Sequence, residues 1–171
     1  MPIRVDAYTA SGIATGVLSR ANHLRDALEG GASLILDRVD WQTLGERGVR
    51  QLGEVSIPVD DVLIAVGDDE PAAPVHAAWH SIRLEVGPYV IKGELPTMPG
   101  FDPNRALARP TGEFVLLRDV RVTLLADAAS GAASGRQALV NRYGVERVRA
   151  DIMLGFFFPG AAIDGVEPAT A

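Results

Sequence analysis

Five short blocks recur in the same order along this chain, and that recurrence constrains its fold more than any single motif. "IRVDA" at 3–7 returns as "IRLEV" at 82–86, and "IATGVL" at 13–18 as "VIKGEL" at 90–95. A polar connection then ends in "DALEGG" at 26–31 or "RALARP" at 105–110. "SLILDRVDW" at 33–41 matches "FVLLRDVRV" at 114–122, and "DVLIAV" at 61–66 is matched with "DIMLGF" at 151–156. Five ordered matches with similar gaps read as a tandem repeat of about 80 residues.

The blocks read as strands. "IRVDA", "IRLEV" and "VRVTLL" alternate apolar and polar residues with period two, the pattern of half-buried strands. "SLILD" and "FVLLR" are short continuous apolar runs, which suits a more buried strand. Gly16 and Gly93 fall inside strand pattern, where glycine marks a bulge or sharp bend. The connection in the first copy has room for a helical turn at 24–28. The second copy holds Pro96, Pro99, Pro103 and Pro110 and reads as loop. "DAASGAASGRQALVNRYG" reads as a flexible loop running into a short helix at 136–143.

The expectation is therefore a mainly β protein. Two tandem copies of a small curled sheet or barrel unit would pack about a pseudo-twofold axis, with one or two short helices. Repeat 1 takes residues 1–66, a linker 67–81, repeat 2 residues 82–158 and a C-terminal tail 159–171. One such copy alone would be marginally stable, which favours one body made of both.

The strand order resembles the Sm-like small β-barrels. The resemblance lies in an extended start, a second strand of type x-x-Gly-x-Leu, an apolar strand "LILDRV" or "VLLRDV", and a short later pair. It implies that Gly16 and Gly93 permit the strong bend of the second strand. The Asp–Asn signature of nucleobase contact is absent from 19–24 and 96–103, and the later Arg–Gly signature is absent too. RNA binding is therefore not carried over. The chain also resembles uncharacterised bacterial domains with a Gly-x-Leu … Leu-x-Asp-Val strand pattern, seen best in "GELPT…NRALARPTGEFVLLRDVRV".

Charge and composition narrow the function classes. Residues 1–80 hold six Lys/Arg against twelve Asp/Glu, a balance of −6, while residues 81–171 hold ten against ten. An acidic half repels a phosphate backbone, so general nucleic-acid binding is disfavoured, leaving only a local Arg patch in the second half. Without Cys there is no disulfide, thiolate ligand or Cys nucleophile. The start has no apolar core of signal-peptide length, and the longest apolar run, at 152–163, contains Pro159 and is far too short to span a bilayer. A cytoplasmic protein without a membrane span is the default expectation.

No cofactor or catalytic motif is legible. His76 and His80 have the i,i+4 spacing of a zinc-binding helix, but no third ligand accompanies them, so they read as linker residues. His23 beside Asp26 has no nucleophile to serve. Arg136, Arg142, Arg147 and Arg149 form the one basic cluster, suited to an acidic partner such as the first half of another copy. Phe156, Phe157 and Phe158 are consecutive, so on a strand they cannot all face one core. Trp41, Trp79 and Tyr89 are candidates for lining a ligand groove between the repeats. The reading is a non-enzymatic binding or assembly protein whose partner is itself or another protein. The alternative is a small-molecule-binding regulatory domain.

Overall fold

The computed structural model describes residues 2–69, 76–97, 112–129, 132–150 and 158–164. The first half contributes β1 (Ile3–Tyr8), β2 (Gly12–Leu18), α1 (Leu24–Glu29), β3 (Ser33–Thr43), β4 (Arg50–Leu52), β5 (Val55–Pro58) and β6 (Ile64–Gly67). The second contributes β7 (Ala78–Val86), β8 (Tyr89–Thr97), β9 (Phe114–Leu124), β10 (Ala133–Asn141), β11 (Val145–Ala150) and β12 (Ala162–Ile163). The fold is mainly β.

Period-two alternation builds the two meanders. On β1, Ile3, Val5 and Ala7 are buried while Arg4 is exposed; on β7, Ile82, Leu84 and Val86 are buried between partly exposed neighbours. The antiparallel ladders β1–β2–β3 and β7–β8–β9 follow. In α1, the i,i+4 pair Leu24 and Leu28 is fully buried, so this single helical turn seals one end of the first core.

Both meanders bend at the same point. The β2–β3 register shifts between Thr15 and Val17, and the β8–β9 register between Lys92 and Glu94. A Cβ on Gly16 would sit 2.9 Å from Val39 Cγ2 and 3.0 Å from the Asp37 carbonyl oxygen. On Gly93 it would sit 2.9 Å from Val120 Cγ1 and 3.0 Å from the Arg118 carbonyl oxygen. Glycine is what lets the facing strand approach this closely. Opposite the shifts, Arg38 and Asp119 each adopt φ of 50°, absorbing the extra residue of the bulge.

The halves merge into one open sheet ordered β12-β11-β7-β8-β9-β10-β6-β1-β2-β3-β4, with β5 on β3. Separate barrels do not form. β10 pairs with β9 on one side and with β6 on the other, from Gln137↔Gly67 to Val140↔Ile64, and so is spent joining the halves. Segment 136–141 is therefore strand, and only Arg142–Gly144 form a single 3-10 turn. Gln137, Ala138, Leu139, Val140 and Asn141 are all buried, and two neighbouring strands override the local helix propensity of the segment. The described strand that pairs with β7 as β6 pairs with β1 is Val145–Ala150; the expected match at 151–156 lies outside the described residues. β7 begins within the expected linker, at Ala78, and β12 falls within the expected tail.

Two hydrophobic clusters fill the sheet's concavities, and neither belongs to one half. Tyr8, Ile64 and Val66 from the first half join the cluster built mostly by β7–β11 and Phe158. Phe114, Leu116 and Leu139 from the second half join the cluster of β1–β3 and α1. Burying one such Leu, Ile or Phe side chain contributes about 1.5–3 kcal/mol, so these exchanged residues hold the halves together.

Candidate interaction site

In the first half this sheet stops at β4 and β5, which pair with successive parts of β3. Val59 donates its N–H to the Ala32 carbonyl at 3.0 Å, so by strand alternation the Ile57 and Val55 amides also face β3. Ser56 then directs its N–H and C=O away from β3, and Pro58, next on that side, has no N–H to offer. Among the described residues no strand pairs with this outer edge of β5.

β10 has the same construction with the edge occupied. Arg142 donates its N–H to the Glu113 carbonyl at 3.0 Å, so Leu139 faces away from β9, and there it meets Ala65 of β6. The correspondence extends to the side chains behind the edge. Val122 lies three residues beyond the left-handed Asp119, and it is buried in the cluster that holds Ile64 and Val66. Trp41 lies three residues beyond the left-handed Arg38, but it lines a groove of about 670 Å³ with Val55, Ile57, Pro58 and Leu63. Its Nε1 donates to Thr43 Oγ1 at 2.9 Å, fixing the ring in the groove wall. Exposed Val49 and Leu52 flank the same edge.

The opposite end of the sheet is partly covered, with the two-residue β12 as its last strand. β12 pairs parallel with β11, placing Ala162 opposite Arg147 and Ile163 opposite Val148. Arg147 reaches Asp164 at 3.9 Å and Glu85 at 3.8 Å, and Arg149 reaches Asp164 at 4.0 Å. Charged side chains and a covering segment are how edge strands resist pairing.

The other candidates separate. Arg136 is exposed on β10, and Arg142 lies 5.1 Å from the Tyr143 ring centroid in the turn before β11; Arg147 and Arg149 share β11. Trp79 lies on β7 beneath the Arg118 guanidinium, 3.6 Å from its ring centroid. Tyr89 is buried; its hydroxyl donates to the Thr9 carbonyl at 2.7 Å, and its ring meets Tyr8 edge-on at 5.0 Å. Burial pushes the Tyr89 phenol up to about 12, and burial, reinforced by Asp6 and Tyr89, raises that of Tyr8 further. Phe158 is buried in the core, whereas Phe156 and Phe157 lie outside the described residues. His76 is exposed in a turn and His80, on β7, bonds Thr97 Oγ1 at 2.9 Å, so the pair does not share a helix face. No cluster of three metal-ligating side chains occurs among the described residues.

The acidic linker start does structural work that its composition does not reveal. Asp68 accepts the Arg4 N–H at 3.1 Å, while Asp69 accepts the Leu24 N–H at 3.4 Å and bonds Gln137 of β10. Ser56 and Pro58 were invisible as site residues in the sequence, where "VSIP" reads only as a short alternating run. No helix among the described residues is long and apolar enough to cross a membrane. No protein-family model, curated protein or solved structure matches this chain.

Proposed function

We propose that this is a non-enzymatic assembly protein, a tandem duplication that binds a second copy of itself through the outer edge of β5. The recurrence of the glycine bends and left-handed residues in both meanders supports duplication. Each half is then a curled unit of the Sm-like kind, bent at Gly16 or Gly93. The β10–β6 junction joins unlike strands of the two halves, which favours a head-to-tail relation over a pseudo-twofold one.

The observation that carries the reading is the open β5 edge beside the Trp41 groove, since its counterpart β10 is already paired within the chain. Strand addition takes affinity from main-chain hydrogen bonds and specificity from adjacent pockets. With β11 covered by β12 at Arg147 and Val148, continued head-to-tail growth is disfavoured. The remaining pairing is β5 with β5 of a second copy, an isologous contact that closes at a dimer. Light scattering tests this with Ser56→Pro, which removes the outward donor and leaves the amides facing β3. The wild type runs as a dimer and the variant as a folded monomer. A variant that remains dimeric refutes β5 as the contact.

A second reading rests on the same groove. Its volume falls within the range of small-molecule sites, and Trp41 offers an aromatic wall. A regulatory ligand held there would add a discrete mass to the purified protein.

A further inference from the structure

We propose that the outer face of β11, β7, β8 and β9 binds a linear oligophosphate. The ladders place Arg149 opposite Arg83, Arg83 opposite Lys92, and Lys92 opposite Arg121. Directly opposed residues project from the same face of a sheet, so four cations line up across four neighbouring strands. At a strand spacing of about 4.8 Å the row is about 14 Å long.

Like charges directly opposite one another destabilise a sheet, and the fold does not require them here. The row through Thr15 and Asp40, the counterparts of Lys92 and Arg121, reads Val66, Asp6, Thr15 and Asp40 across β6, β1, β2 and β3. Arg83 is shared with Glu85 at 2.9 Å, and Arg149 with Asp164 at 4.0 Å. Lys92 and Arg121 are exposed and make no ion pair or side-chain hydrogen bond among the described residues. The row is thus under-neutralised at its β8–β9 end.

A concavity overlaps three of the four cations, with Arg121 outside it. A groove of about 410 Å³ is lined by Arg83, Lys92 and Arg149 together with Ser81, Gly93 and Ala150. Ser81 stands two residues from Arg83 on the same face, whereas a side chain on Gly93 would point to Val120 and Leu117 of the core. Arginine offers phosphate oxygens paired donors and lysine a mobile point charge, so an anion with charges repeated along a line fits better than a single phosphate. The row holds no aromatic ring on which bases would stack, and the nearby Trp79 already lies under Arg118. A free oligophosphate is therefore the class assigned rather than a single-stranded nucleic acid.

The test is calorimetric titration of the whole chain with sodium tripolyphosphate at low ionic strength, with inorganic phosphate and a uridine oligonucleotide as comparison probes. Tripolyphosphate binds, its affinity falls log-linearly with salt, and inorganic phosphate binds at least about tenfold more weakly. Lys92→Glu with Arg121→Glu lowers tripolyphosphate affinity by about tenfold or more, equivalent to about 1.4 kcal/mol. Arg4→Glu with Arg47→Glu, the same change in net charge placed elsewhere, leaves it within about twofold. Lys92→Gln alone, a milder change at an exposed position, gives a smaller loss in the same direction. Absence of tripolyphosphate binding overturns the proposal, as does an equal loss in the control pair. An oligonucleotide that binds more tightly than tripolyphosphate and loses affinity in the same double variant overturns the ligand class.

Discussion

Replacing Tyr89 with Phe isolates one hydrogen bond that joins the halves. The Tyr89 hydroxyl donates to the Thr9 carbonyl at 2.7 Å and lies 3.3 Å from the Gly12 carbonyl, inside a turn of the other meander. Gly12 keeps its bond from the Thr9 amide at 2.9 Å, so the carbonyl left bare by the substitution is that of Thr9. The ring and its edge-on contact with Tyr8 remain. The loss is therefore that of a buried acceptor without its donor, about 1–3 kcal/mol. For a chain of 171 residues, a central loss of about 2 kcal/mol lowers Tm by about 4–8 °C. Differential scanning calorimetry at neutral pH reads this directly.

The same substitution has an alkaline signature. Both buried phenols resist ionisation in the fold, Tyr89 up to about 12 and Tyr8 beyond it, while in the unfolded chain they ionise near 10. A raised folded pKa means that this contribution to stability is complete below about pH 10 and is lost as pH rises toward the folded values. Each phenol steepens the fall by about 1.4 kcal/mol per pH unit, so Tyr89→Phe roughly halves the slope above pH 10. A variant that melts within about 1 °C of wild type, with an unchanged alkaline slope, would refute the role given to this hydroxyl.

Other consequences follow from the bends. Gly16→Ala and Gly93→Ala each push a methyl against a backbone carbonyl and a valine, and each should destabilise by about 1–3 kcal/mol in urea unfolding. Costs that differ by more than about 2 kcal/mol would show that the two bends are not built alike. Arg38→Gly and Asp119→Gly relieve a left-handed backbone held by a side-chain-bearing residue, and each should raise stability by about 0.5–1 kcal/mol. A loss in either case would mean that the side chain, not the backbone, governs that position.

What could be read in advance was whatever depends on local pattern. The meander strands showed because one face of each is buried and the other wet, as with Ile82, Arg83 and Leu84. Gly16 and Gly93 interrupted that pattern where the sheet bends. β10 was misread because Ala138, Leu139 and Val140 are buried on both faces, and a continuous apolar run does not distinguish strand from helix. β11 was not legible because Arg147 and Arg149 break its apolar pattern, and the expected fifth block match at 151–156 lies outside the described residues. The candidate sites were hidden for a related reason. The outward amide of Ser56 and the Arg149–Arg83–Lys92–Arg121 row are properties of register between strands far apart in the chain, and no short segment encodes them.

Native mass spectrometry of the protein purified from its own source tests the assembly claim most directly, since one spectrum reports both copy number and bound mass. A dimer closed through β5 gives a species at twice the 18.1 kDa chain mass, reduced to one chain by Ser56→Pro. A wild-type protein that stays at 18.1 kDa at every concentration would contradict it, and a single chain carrying a discrete small-molecule mass would transfer the Trp41 groove to the regulatory reading.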